Sequence, residues 1–230
     1  MNLNTLLFGV YPYICLAVFL IGSWLRYDRE PYTWRSESSQ MLKRGHYFHI
    51  ASNLFHIGIL GIFFGHLVGL LTPPSVFHAI GIDAGAKQWL AILAGGVAGI
   101  VCLIGLAMLI LRRFREPRIR ATTRPMDWVV LFLLLSQLTL GIVSIRWSYQ
   151  HIDGAEMLKL MAWAQHIVTF RPGAADFIID IAPVFKLHLL LGVTLFLVFP
   201  FSRLVHIWSG FGSVRYLARP RQIVRARGGN

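Results

Sequence analysis

Five long stretches of the chain are apolar and free of Asp, Glu, Lys and Arg, and polar, often basic, segments separate them. The most regular is Ile50–Leu71, IASNLFHIGILGIFFGHLVGLL, which as a helix rising 1.5 Å per residue would reach about 33 Å, a full bilayer crossing. Leu3–Leu25, Gln88–Leu111, Trp128–Ile145 and Leu187–Ser202 are the others, and the last helix is expected to cover about 183–208. Tyr11-Pro12 falls inside the first span and predicts a bend, because proline removes one backbone hydrogen bond. The pattern predicts an all-α membrane protein of five transmembrane helices, forming one domain over residues 1–230. The spans lie at about 3–25, 50–71, 88–111, 128–145 and 183–208.

The longest connection, Arg146–Lys186, contains AEMLKLMAWAQHIVTF at Ala155–Phe170. Met157, Leu158, Met161, Ala162 and Val168 recur there at three- and four-residue steps, the mark of an amphipathic helix lying along the membrane surface. Composition agrees with membrane residence. Of 230 residues 56% are hydrophobic and only 14% charged, against about 25% charged in soluble domains. Cys15 and Cys102 both fall in apolar segments and read as small buried hydrophobes. No CxxCH occurs, which excludes covalent c-type haem. The first apolar run lacks a basic leader and a small-residue cleavage site, so it reads as a retained helix.

The net charge of +12 could indicate nucleic acid, but its placement indicates topology. With five spans, all but five of the 22 Lys and Arg residues fall on one side; the other side holds Lys87, Arg146, Lys159, Arg171 and Lys186. Cytoplasmic loops carry the excess of Lys and Arg, so the N-terminus is expected outside and the C-terminus inside. The chain then has membrane lipid around it and no nucleic-acid partner.

Two histidines, His56 and His66, sit in the second span, and His188 and His206 sit in the last. Ionisable groups at membrane depth are costly and face a partner inside the bundle. The two spans run in opposite directions, so His56 can meet His206 and His66 can meet His188. Along the helix axes the pairs are separated by about 15 Å and about 27 Å, and His56 and His66 differ by about 80° around their helix. Helix crossing or distortion must absorb that mismatch. Two imidazoles on each iron would leave haem coordinatively full, fit to carry electrons and without an open position. Gly58, Gly61, Gly65 and Gly69 serve either to let a porphyrin approach the backbone or to pack helices. Zinc or nickel sites gather ligands at one depth and add carboxylates or thiolates, and no acid lies well inside a span. His46, His49, His78, His151 and His166 sit in polar or interfacial segments and read as ordinary loop residues.

GSWLRYDREPYTWRSESSQML, ASNLFHIGILGIFFGHLVGLLTP, DGAEMLKLMAWAQHIVTF and HLLLGVTLFLVFPFSRLVHIWS together resemble the gamma, or cytochrome b, subunit of bacterial membrane-bound respiratory nitrate reductase. The resemblance runs from about Tyr11 to Arg227. It implies residence in the bacterial inner membrane and two b haems, the outer (distal) one on His66 and His188 and the inner (proximal) one on His56 and His206. It also implies oxidation of a quinol, menaquinol or ubiquinol, at an outer site formed by Lys87, Gly65 and His66. The electron acceptor it implies is a cytoplasmic iron–sulfur subunit, with nitrate reduced on a molybdenum catalytic subunit; nothing in this chain resembles a molybdenum or iron–sulfur site.

Lys87 is the basic residue of the second connector, where an ammonium can hydrogen-bond a quinone oxygen or snorkel to water. Arg112 and Arg203 stand at inner helix ends, placed either to pair haem propionates or to anchor the cytoplasmic side. Two other readings stay open: a di-haem quinone-linked cytochrome b of another reductase complex, and a histidine-based metal-ion permease.

Overall fold

The computed structural model describes residues 2–30, 33–34 and 45–209. The basic residues Arg35, Lys43 and Arg44, and those of the tail from Arg215 to Arg227, lie outside the described residues. Every regular element among the described residues is helical. Helix α1 covers Leu3–Arg29, α2 His46–Leu71, α3 Pro74–Ala79, α4 Ala84–Arg115, α5 Pro117–Ala121, α6 Pro125–Gln150, α7 Ala155–Val168 and α8 Pro183–Val198. Helices α1, α2, α4, α6 and the stretch Pro183–Phe201 are each long and apolar enough to cross a membrane. Their outward faces stay apolar, with Leu20 and Leu93 each 61% exposed and Val97 66% exposed. A girdle of that extent belongs in lipid, not in water.

Helix starts follow local chemistry. The Asp83 carboxylate accepts the Ala86 N–H at 2.6 Å and begins α4 ahead of its apolar run. Proline occupies the first turn of α3, α5, α6 and α8, where its missing N–H costs nothing. Within α1, a wide π-turn at Leu6–Val10 precedes Pro12, and the helix continues through Tyr11–Arg29. That turn absorbs the crowding a proline ring imposes on the preceding carbonyls.

The spans pack in the order α2, α4, α6, α8, α1. The tightest crossing is α2 with α4. A Cβ added at Gly58 would lie 2.5 Å from the Cys102 backbone nitrogen, and one at Gly105 would lie 2.3 Å from that of Phe55. Small residues on both sides let the two backbones touch, so dispersion contact replaces the hydrophobic driving force that lipid cannot supply. Cys15 and Cys102 are fully buried free thiols, as expected. Helices α2 and α8, by contrast, do not pack closely; they approach one another through their histidines.

One expectation gains detail and one changes. The amphipathic helix of the long connection packs across one end of the bundle. Its buried face is Met161, Trp163, Ala164 and Ile167, whereas Leu158 and Val168 are exposed. Trp163 Nε1 donates to the Phe8 carbonyl at 2.9 Å and Gln165 Nε2 to the Leu70 carbonyl at 3.1 Å, which rotates the helix toward protein. The last helix does not run unbroken to residue 208. It ends at Val198, passes through tight turns at Phe199–Phe201 and Arg203–Val205, and resumes helically at His206. Between them Ser202 is fully extended, with φ −118° and ψ 178°.

Candidate functional site

Between α2 and the fifth span, the four membrane histidines meet two by two. The His66 and His188 ring centres are 6.1 Å apart, and those of His56 and His206 are 6.4 Å apart. The pairing matches the one expected from antiparallel spans. The break at Pro200 supplies the distortion that the rotational mismatch required, because it frees His206 from the helical phase of His188.

One ring nitrogen of each histidine is committed to the backbone. His56 Nδ1 donates to the Ser52 carbonyl at 2.7 Å and His66 Nδ1 to the Ile62 carbonyl at 2.9 Å. His188 Nδ1 donates across to the Gln137 carbonyl at 3.1 Å, and His206 Nδ1 to the Arg203 carbonyl at 2.6 Å. Bonds of this kind fix the tautomer and ring direction and leave Nε2 bare for a metal. All four imidazoles are therefore prepared through the same nitrogen.

The spacing suits one iron per pair. A metal–imidazole bond of about 2.0–2.1 Å and roughly 1.1 Å from nitrogen to ring centre place two rings on one ion about 6.3 Å apart. The His66–His188 pair has a further polar group beside it. The Gln137 amide donates to His188 Nε2 at 3.3 Å, while its own Oε1 is buried without a hydrogen-bond partner. A buried orphan oxygen beside an imidazole nitrogen held only by one long amide contact fits a site shaped around a further group. Among the described residues no three His, Cys, Asp or Glu side chains gather to hold a bare metal ion. Pairs bridged by a planar cofactor fit this donor set; a compact ion site does not.

The outer pair rests on α6 in a way the sequence reading missed. A Cβ at Gly141 would lie 3.0 Å from His188 Cε1, and one at Gly192 would lie 3.1 Å from Gln137 Nε2. Gln137 and Gly141 stand one helical turn apart, and that polar–glycine step inside an apolar span was the available signal.

Lys87 is buried at the end of the bundle away from the basic loops, 5% exposed. Its Nζ donates to the Gly69 carbonyl at 2.7 Å and contacts Met161 Sδ at 2.9 Å, and it lies 3.8 Å from the Phe77 ring centre. A small pocket there is lined by Phe77, His78, Asp83, Lys87, Leu158 and Met161. Lys87 thus reaches α2 one turn beyond Gly65; the structure gives it no bond to Gly65 or His66. The four glycines of α2 divide between the two roles weighed for them. Gly58 and Gly61 face Cys102 and Ala98 on α4, whereas Gly65 and Gly69 have open space where a side chain would be.

At the basic end, Arg203 Nε lies 2.9 Å from Asp127 Oδ1, and its Nη2 donates to the Thr122 carbonyl. Arg113 pairs with the other oxygen of Asp127 at 3.4 Å. The Arg112 guanidinium lies 4.3 Å from the Phe48 ring centre and is nearly buried. Arg203 sits beside the inner pair through its carbonyl on His206, and Arg112 stands at the same end of the bundle.

Residues 4–227 match the family model of the nitrate reductase gamma subunit. The chain belongs to that family. It is 55% identical to the respiratory nitrate reductase 1 gamma chain of Escherichia coli, with 98% of each chain covered. It is 53% identical to the nitrate reductase 2 gamma chain of the same organism, again over 98% of each. More distantly, it is 25% identical to an Hdr-like menaquinol oxidoreductase cytochrome b-like subunit of Archaeoglobus fulgidus, over 90% of this chain and 78% of that one. This gamma subunit is accordingly a multi-pass membrane component of a nitrate reductase.

Proposed function

We propose that this gamma subunit holds two b haems, one near each leaflet, and oxidises quinol at the outer side on behalf of its nitrate reductase. The observation that carries the reading is the pair of facing imidazole couples, all four rings presenting Nε2 at the spacing of one iron per couple. His66 and His188 hold the outer haem, and His56 and His206 the inner one. Bound there, the haems supply one-electron carriers with no open coordination position.

The protein's own groups do the rest. Lys87 is held by the Gly69 carbonyl and Met161 Sδ at the outer end of α2 and turns its remaining N–H donor toward a quinol oxygen, stabilising the negative charge that grows as the proton leaves. Gly65, with no atom opposite its missing Cβ, leaves room for the quinol ring beside His66. Menaquinol and ubiquinol both present the oxygen this donor needs. Arg112 and Arg203 stand at the inner end as donors for the carboxylates of the inner haem.

With the N-terminus outside and the basic loops inside, both quinol protons leave outward and the electrons pass inward. Cytoplasmic iron–sulfur and molybdenum catalytic subunits receive them. Such a reaction stores about 2.3 kcal/mol per charge per 100 mV of membrane potential. The Archaeoglobus relative supports a related reading, in which a cytochrome b-like subunit of this kind serves a menaquinol oxidoreductase instead.

The test is reduction of the purified complex by a quinol analogue. Haem b absorbance should rise on adding quinol and fall when nitrate follows. Haem that quinol leaves oxidised, while dithionite reduces it, would rule the reading out.

A further inference from the structure

Helix α1 carries no histidine, yet one stripe of it faces the break in the fifth span. Phe19, Gly22 and Arg26 recur at helical spacing along that stripe. The Phe19 ring packs edge-on against Phe199, with centres 4.8 Å apart, and lies 5.7 Å from the Trp208 ring. Gly22 lets Pro200 approach: a Cβ at position 22 would stand 2.9 Å from the proline Cγ. Arg26 completes the contact. Its Nη1 donates to the carbonyls of both Pro200 and Ser202, each at 2.7 Å. Its Nε and Nη2 donate to the hydroxyl and carbonyl of Thr33, at 3.1 Å and 3.2 Å.

Breaking a helix inside a membrane protein releases carbonyls that lipid cannot satisfy. Here one guanidinium takes up two of them, through charge-assisted bonds that are about twice as strong as neutral ones. Ser202 then turns the chain, donating to the Phe199 carbonyl while its oxygen accepts the Leu204 N–H. The next turn ends on His206, whose Nδ1 donates to the Arg203 carbonyl. The direction of the His206 ring is therefore set by the break, and the break is held from α1.

We infer that Arg26 is a positioning residue for the inner haem: by gripping the Pro200 and Ser202 carbonyls it fixes the turn that presents His206 to His56. This inference rests on the haem reading above. The outer pair, on the unbroken part of α8 and on α2, does not depend on the break and serves as an internal control for folding.

The experiment compares Arg26→Ala and Arg26→Lys with the native chain, each in the purified complex. Readouts are haem content, the low-spin signals by electron paramagnetic resonance, and carbon monoxide binding by the reduced protein. A six-coordinate bis-imidazole haem does not take up carbon monoxide. Arg26→Ala should lose most of the inner low-spin signal, or make that haem reactive to carbon monoxide, while the outer signal stays. Arg26→Lys, with a single charged nitrogen, should show a smaller loss of the same kind. Arg29→Ala, on the exposed last turn of α1, should leave both signals unchanged. Should neither Arg26 variant affect the inner haem selectively, with both haems kept or both lost, Arg26 has no positioning role. Absence of haem from the native complex would instead overturn the reading beneath it.

Discussion

The imidazole of His188 rests on the backbone of Gly141, so closely that a Cβ there would stand 3.0 Å from Cε1. The ring cannot retreat without giving up its bond to the Gln137 carbonyl. Overpacking of this kind costs about 1–3 kcal/mol, concentrated on the imidazole proposed to hold the outer haem. Gly141→Val should lose or shift the outer low-spin haem signal and leave the inner one in place. Optical and paramagnetic spectra of the variant check it.

The two halves of the α2 glycine series should behave differently. Alanine at Gly58 or at the facing Gly105 meets backbone atoms that cannot swing aside, so the α2–α4 crossing must open. A loss of about 1–3 kcal/mol follows, seen as a lower midpoint of thermal unfolding in detergent. Alanine at Gly65 or Gly69 meets open space and should leave that midpoint unchanged. Gly65→Ala should raise the KM for quinol, read in steady-state quinol oxidation.

Lys87 binds its quinol in this account and holds no haem. Lys87→Met preserves much of the buried stem and its contact with Phe77 but removes the donors. Quinol oxidation should fall by roughly 100–1,000-fold, the loss expected for one donor to developing negative charge. Both haems should remain and should still be reduced by dithionite.

Asp127 ties the basic end together. It is buried, it accepts from the Arg124 N–H at the start of α6, and it pairs with Arg113 and Arg203. Removing the carboxylate leaves two guanidiniums without their counter-charge, but both are partly open to solvent, so the cost is roughly 1–3 kcal/mol. Asp127→Ala should lower the unfolding midpoint and release inner haem before outer haem as the protein is warmed.

Much of this was legible in the chain itself. Charge-free runs located five spans, and antiparallel order alone was enough to pair His56 with His206 and His66 with His188. Helices α4 and α6 outrun their charge-free runs, and their starts are set by Asp83 and Pro125, which hydropathy does not register. The break at Pro200 escaped because an apolar run containing FPFS is compatible with a kinked helix as well as a broken one; the Arg26 bonds that stabilise it span most of the chain. Which face of the Ala155–Val168 helix meets protein was not legible for a related reason. Periodicity picked out Met161 but could not tell lipid from the protein surface that receives Trp163 and Ile167. Gln137 and Gly141 looked like span residues of no special kind until His188 was seen against them.

The most direct test is a reduced-minus-oxidised spectrum with haem stoichiometry on the purified native complex and on His66→Ala, His188→Ala, His56→Ala and His206→Ala. Two b haems for each gamma chain are expected. Each substitution should remove one haem, and the two substitutions within a couple should remove the same one, with quinol oxidation lost alongside the outer haem. A colourless native chain, or two haems persisting in any of the four variants, would contradict the account.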